Sequence, residues 1–203
     1  MKVLLVNGSP HNEGNTRLAL EEVTKALNED GIETIFVNIG TKPIPGCIAC
    51  YKCYETGVCI FNEGVYAEIR EILEQGIDGF VFGSPTYYAG PNGSLCSLMD
   101  RLFYSLGRYF RNKPGAAVGV ARRGGAVQTV DRINKYFAIS NMPIVTSQYW
   151  NLAFGREPGE VLQDGEGMQT MRAIGHNMAE LLKAASGRPA IEREVPIRTN
   201  FIK

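Results

Sequence analysis

Apolar positions along this chain fall into two rhythms. Short, nearly unbroken runs occupy Lys2–Val6, Ile32–Val37, Gly79–Phe82 and Gly115–Val120, each bounded by polar or glycine-rich segments. Runs of this length, rich in Val, Leu, Ile and Phe, predict strands buried on both faces. Ile144–Val145 begins a fifth, reaching toward Gln148. Between the runs the spacing changes to three and four. Leu20, Val23 and Leu27, with Ala19 and Ala26 beside them, predict a helix over Thr16–Asn28, which Gly31 stops. The same reasoning predicts helices over Gly64–Gln75, about Ser94–Leu106, roughly Val127–Ile139 and Met168–Ala185.

The first 37 residues therefore read β–loop–α–β, a unit that implies parallel strands. Five strands alternating with helices predict an α/β open sandwich: a five-stranded parallel sheet with helices on both faces. The domain spans 1–186, with an irregular insertion at about 41–62. A tail over 187–203, containing two prolines and alternating charges, reads as an extended arm. In such sheets ligands bind beyond the carboxyl ends of the strands, where strand order reverses. Three unusual loops leave that edge: Asn7–Thr16 (NGSPHNEGNT), Ser84–Gly93 (SPTYYAGPNG) and Ala121–Gly125 (ARRGG).

Composition narrows the function classes. The chain has 203 residues, 44% hydrophobic and 21% charged, which suits one domain with a sizeable core. A formal net charge of zero argues against nucleic acid or an anionic membrane as the main partner. Val3–Val6 is too short for a signal-peptide core, and no stretch approaches the length of a membrane-spanning helix. The expectation is a cytoplasmic protein.

The densest chemistry lies in Gly46–Phe61. Four of the five cysteines, Cys47, Cys50, Cys53 and Cys59, follow the spacing C-x2-C-x2-C-x5-C. Two-residue gaps let successive thiolates turn toward one centre, and ferredoxins use C-x2-C-x2-C for three ligands of a [4Fe–4S] cluster. Here Cys59 is near enough to supply the fourth. Zinc, which more often takes two separated C-x2-C pairs, and plain reduced thiols are the alternatives. Cys96, among Leu95, Leu98 and Met99, reads as a small buried hydrophobe.

The first loop is neither a Walker motif nor a dinucleotide G-x-G-x-x-G. It does join a strand to a helix N-terminus, with Ser9, Asn12, Asn15 and Thr16 as polar side chains. Backbone N–H groups and the helix's positive end favour an anion there. Lacking a lysine, the loop suits a monophosphate, which His11 could touch, a solvated loop histidine being the alternative; simple helix capping by Asn15 or Thr16 is the competing reading of the loop. In the second loop, Pro85, Thr86, Tyr87 and Tyr88 set aromatic walls beside backbone donors, as an isoalloxazine ring requires. In the third, Arg122, Arg123, Gly124 and Gly125 combine positive charge with close backbone approach; solvent-facing arginines are the alternative. His176, inside the last helix, reads as structural.

Together, these loops resemble those of the NADPH-dependent FMN reductase-like branch of the flavodoxin-fold flavoproteins. With the cysteine motif added, the chain resembles the iron–sulfur flavoprotein family over about Met1–Ala185. That resemblance implies a flavodoxin-like fold, FMN and one [4Fe–4S] cluster per subunit, held by Cys47, Cys50, Cys53 and Cys59. It carries Ser9, Asn15 and Thr16 onto the FMN phosphate and Pro85–Tyr88 onto the isoalloxazine. It implies electrons entering from a donor such as ferredoxin and passing through the cluster to FMN and an acceptor. An NAD(P)H-dependent FMN or quinone reductase without a cluster, and a thiol or cluster redox sensor, are the competing functions. A homodimer or homotetramer is expected, since Tyr104, Leu106, Tyr109 and Phe110, and again Tyr149, Trp150, Leu152 and Phe154, form aromatic patches suited to contacts.

Overall fold

The computed structural model describes residues 1–187 and, beyond them, 194, 195, 197, 199 and 201. The arm expected over 187–203 falls largely outside the described residues. Strands β1 (Lys2–Asn7), β2 (Glu33–Asn38), β3 (Gly79–Tyr87), β5 (Gly115–Ala121) and β6 (Leu152–Phe154) form a parallel sheet in the order β2-β1-β3-β5-β6. A two-residue strand, β4 (Gly90–Pro91), adds an antiparallel pair to the end of β3. Helices α1 (Asn15–Glu29), α2 (Lys52–Thr56), α3 (Gly64–Glu74), α4 (Gly93–Ser105), α5 (Gly107–Phe110), α6 (Ala126–Ile139) and α7 (Gly165–Ala185) complete the chain.

Alternation along the strands builds two cores. Leu4 and Val6 of β1 join Phe80 and Phe82 of β3 beneath α3, α4 and α6, while Val3, Leu5 and Val81 face α1 and α7. Side chains along the inner strands thus meet a helical layer on either face, which is why those strands read as continuous apolar runs rather than alternating ones. Gly175 lets α7 close on α1: a Cβ there would lie 2.6 Å from Ala26 Cβ and 2.8 Å from the Val23 carbonyl.

Three features differ from the sequence-based expectation. The fifth parallel strand lies at Leu152–Phe154 rather than Ile144–Gln148. Ile144 makes only an isolated bridge to Gly115, after which residues 146–151 loop outward before Leu152 rejoins β5 opposite Gly119. Asn151 Nδ2 closes that excursion on the Val145 carbonyl (3.1 Å). β3 runs on to Tyr87 because its end is stapled by β4 through a hairpin whose two central residues, Tyr88 (φ 51°) and Ala89 (φ 55°), are left-handed. The cysteine insertion contains a short helix, α2, which Gly57 (φ 72°) ends.

Topology sets the crevice. From β1 the chain moves to β2 on one side and then to β3 on the other, so strand order reverses between β1 and β3. The first two loops open there, and the third follows β5 alongside.

Candidate functional site

β1 delivers a braced loop to the sheet's carboxyl edge. Asn7, fully buried, donates through Nδ2 to the His11 carbonyl (3.2 Å) and Asn38 Oδ1 (3.0 Å), and its Oδ1 accepts from the Ser9 N–H (3.1 Å). Ser9 Oγ accepts from the His11 N–H (3.1 Å). Gly8 has no room for a side chain: a Cβ would lie 2.5 Å from Leu95 Cδ2 and 2.6 Å from the Gly83 carbonyl that its own N–H contacts at 2.7 Å. Gly14 then opens α1 without a side-chain cap. The N–H groups of Asn15, Thr16 and Arg17 meet no acceptor among the described residues. They form a ready anion site at the positive end of a 15-residue helix.

The cavity above this edge measures about 840 Å³. Ser9, His11, Asn15, Thr16, Pro85, Thr86, Tyr87 and Arg122 all line it. So do Gly155, Arg156 and Pro158, which sequence reasoning missed. Their turn-rich run GREPG follows the true fifth strand, and it reads as a site loop only once that strand is placed at Leu152–Phe154.

Six expected contributors have other partners or positions. Asn15 lines the cavity, but its side chain anchors the Gly155–Val161 loop, donating to the Glu157 carbonyl (2.9 Å) and accepting from the N–H groups of Gly159 (3.0 Å) and Val161 (3.3 Å). The capping role for Asn15 or Thr16 is not adopted either. The Thr86 hydroxyl pairs with Thr129 Oγ1 (3.0 Å), tying the second loop to α6. Tyr88 is fully exposed at the hairpin tip and does not line the cavity, since the left-handed turn carries it outward. Arg123, Gly124 and Gly125 line a separate cavity of about 370 Å³ with Tyr149, Trp150 and Phe154, because Gly125 (φ 88°) turns the chain into α6 away from Arg122. His176 Nδ1 meets Asp30 Oδ2 (2.8 Å), joining α7 to the end of α1 as a structural contact.

All four motif cysteines line one pocket, walled by Ile48, Ile60, Phe61 and α4's Arg101, Tyr104 and Ser105. Ala49 (φ 51°) and Tyr51 (φ 59°), either side of Cys50, are left-handed although neither is glycine. Such strain gathers at functional sites. Of the two glycines in this segment, Gly46 and Gly57, only Gly57 (φ 72°) is left-handed. Burial pushes the Cys53 thiol up, and the neighbouring Cys59, Cys47 and Cys50 push it the same way. The Tyr104 phenol is pushed up to about 12, chiefly by its hydrogen bond with Tyr54 (2.8 Å), and stays neutral. No three ligand side chains among the described residues converge as one metal ion needs. Four cysteine thiols around one pocket are the donor set a cubane takes, one thiolate per iron. The free space is about 20 Å³, and Cys47 and Cys50, both exposed, stand on its solvent side.

Cysteine pocket and large cavity share no lining residue. Arg101 to Ser105 lie roughly 12–18 Å along α4 from its start at Gly93, at 1.5 Å per residue.

Residues 1–157 match the family model described as NADPH-dependent FMN reductase. An iron–sulfur flavoprotein of Methanocaldococcus jannaschii is 37% identical over 191 residues, covering 90% of this chain and 98% of the relative. The chain belongs to the iron–sulfur flavoprotein family. An iron–sulfur flavoprotein of Archaeoglobus fulgidus is 28% identical over 193 residues, with 90% and 97% covered. The fold matches the solved structure of a flavodoxin from the domain Archaea with a TM-score of 0.59 at 17% identity, covering 90% of this chain and 99% of that one. This family member is a flavin-dependent oxidoreductase built on the FMN reductase branch of the flavodoxin-like fold. The large cavity fits FMN: unpaired helix-end donors suit its phosphate, and the volume lies within the range of cofactor sites. Among the described residues no helix is long and apolar enough to cross a membrane.

Proposed function

We propose that this protein is an FMN-dependent electron-transfer flavoprotein that accepts electrons from a ferredoxin-type donor, with Cys47, Cys50, Cys53 and Cys59 holding a [4Fe–4S] cluster. One observation carries the reading: four cysteines line a single pocket in a chain that also offers a phosphate-binding helix end beside a cofactor-sized cavity. When bound, FMN supplies two-electron chemistry and the cluster one-electron chemistry. The residues provide the rest. The N–H groups of Asn15, Thr16 and Arg17 would hold the phosphate, with Ser9 bracing the loop. Pro85, Thr86 and Tyr87 would wall the ring, and Arg122 would set positive charge beside it. Ile48, Ile60 and Phe61 would keep water from the sulfurs. Asn15 acts by holding Gly155–Val161 over the cavity.

Anaerobic purification with iron, sulfide and flavin analysis tests this directly. About one FMN and about four irons and four sulfides per chain are expected, the content of one cubane. Cys59→Ala should lose the iron–sulfur absorption and ferredoxin-linked FMN reduction yet keep FMN, while Cys96→Ala should change neither. Wild-type protein without iron, reduced readily by NAD(P)H, would establish the cluster-free FMN or quinone reductase instead.

A further inference from the structure

Among the described residues, a buried arginine in the wall of the cysteine pocket has no acid to pair with. Arg101 is 2% exposed. Its guanidinium donates through Nη1 to the Pro45 carbonyl (3.2 Å), through Nη2 to the Phe61 carbonyl and through Nε to Cys59 Sγ (3.4 Å). The Tyr66 and Phe61 rings lie 4.7 and 5.6 Å from its central carbon. Among the described residues no carboxylate forms an ion pair with it. Its sequence neighbour Asp100 instead accepts from the Tyr136 hydroxyl (2.5 Å). Carbonyl dipoles and ring faces offset only part of a buried full charge, so such a group calls for an anion nearby. The sulfur at the end of its Nε–H is where that anion belongs.

The contacts are also selective in position. Pro45 and Phe61 flank the four cysteines, so one guanidinium grips both ends of the segment. Cys59 is held twice, by its sulfur and by its N–H, which donates to the Tyr66 hydroxyl (3.0 Å). That hydroxyl pairs with Ser105 Oγ (2.6 Å), which donates to the Arg101 carbonyl (2.7 Å).

We propose that Arg101 is the counter-charge for an anionic occupant of the four-cysteine pocket, acting through Cys59 as a positioning residue that favours the more reduced state of a cluster bound there. This rests on the iron–sulfur reading of the segment. One electron from a low-potential one-electron donor adds one negative charge to the site, with no bond made or broken. A fixed buried cation beside one sulfur stabilises that added charge.

The test uses full-length protein, purified and reconstituted anaerobically, as wild type, Arg101→Met, Arg101→Gln and Arg101→Lys. Iron content and an EPR-monitored redox titration of the cluster are measured, with bound FMN and far-UV circular dichroism as fold controls. Relative to wild type, the neutral variants should show at least a tenfold lower reduction equilibrium constant, about 59 mV for a one-electron couple, and Arg101→Lys should stay within about threefold. A neutral variant holding four irons at the wild-type potential would overturn the proposal. Loss of iron from both neutral variants with retention in Arg101→Lys supports it. Loss from all three in folded, FMN-replete protein overturns it in favour of a purely geometric clasp. Wild-type protein that takes up no iron would overturn the cluster reading itself, a result separate from any variant's behaviour.

Discussion

Thr16 stands in the first turn of α1, buried at 3% exposure, at the cavity's edge beside Ser9. Its N–H is one of three unpaired donors at the helix's positive end. A carboxylate there would sit where the phosphate belongs and repel it. Thr16→Glu should weaken FMN binding at least about 100-fold, roughly 3 kcal/mol, whereas Thr16→Ser should stay within about threefold. Quenching of flavin fluorescence on titrating apoprotein checks this, and wild-type affinity in the glutamate variant would move the phosphate elsewhere. Asn15 shows how single residues change meaning in three dimensions. Its position one residue past Gly14 marks it as a phosphate ligand or a cap, yet its amide reaches residues 157–161, more than 140 positions away in sequence.

Pairing of α1 with α7 carries the electrostatics between elements. Glu22 accepts from Lys25 (2.9 Å) on its own helix and Arg172 (2.6 Å) on the other. Burial pushes its carboxyl up, but the hydrogen bonds from Lys25 and Arg172 outweigh that and hold it below the usual range. Asp30 is held low as well, first by its hydrogen bond with His176, then against some burial by Lys183. A carboxylate with a depressed folded-state pKa stabilises the fold above its unfolded pKa and loses that contribution as pH falls through the folded value. Glu22→Gln should therefore cost about 0.5–1 kcal/mol at pH 7, discounted for the half-exposed Arg172, and the difference should shrink below about pH 4. Urea unfolding of both proteins at several pH values measures it. A difference that persists unchanged into acid would assign the loss to packing instead.

For the whole molecule, the exposed apolar surface gathers beside the cysteine pocket. Ile48, Tyr51, Tyr54, Ile60 and Tyr104 are all at least 46% exposed, and Tyr54 stacks on Tyr104 with ring centroids 5.5 Å apart. Tyr149 and Trp150 form a second exposed pair on the 370 Å³ cavity. The patches expected from sequence are only partly surface: Leu106, Phe110 and Leu152 are buried in the domain core, and Tyr109 packs against it. A stable association buries about 800 Å² on each partner, and the remaining aromatic faces suit such contacts. Light scattering at micromolar concentration should return a dimer or tetramer mass, and a monomer would contradict this.

The sheet, its layering and two of the three site loops were legible in the chain alone, because they rest on short-range physics. Doubly buried strands such as Leu4–Val6 and Phe80–Phe82 must be apolar throughout, and α1, α4 and α7 must carry apolar residues at helical spacing. The uncapped helix end after β1 was legible because such a junction exposes the same N–H groups whatever the rest of the fold does. Cys47, Cys50, Cys53 and Cys59 announced themselves by spacing. What tertiary structure decided was pairing across distance. Leu152–Phe154 became the last strand because β5 offered it an open edge after residues 146–151 looped out, an arrangement no local pattern specifies. Tyr88 left the site because a hairpin turned it outward, and the ARRGG loop divided between two cavities at the turn into α6. Local spacing does not single out Arg101 among the polar positions of α4. Only the fold brings Pro45, Cys59 and Phe61 around its guanidinium, from as far as 56 residues away, and among the described residues no carboxylate pairs with its buried charge.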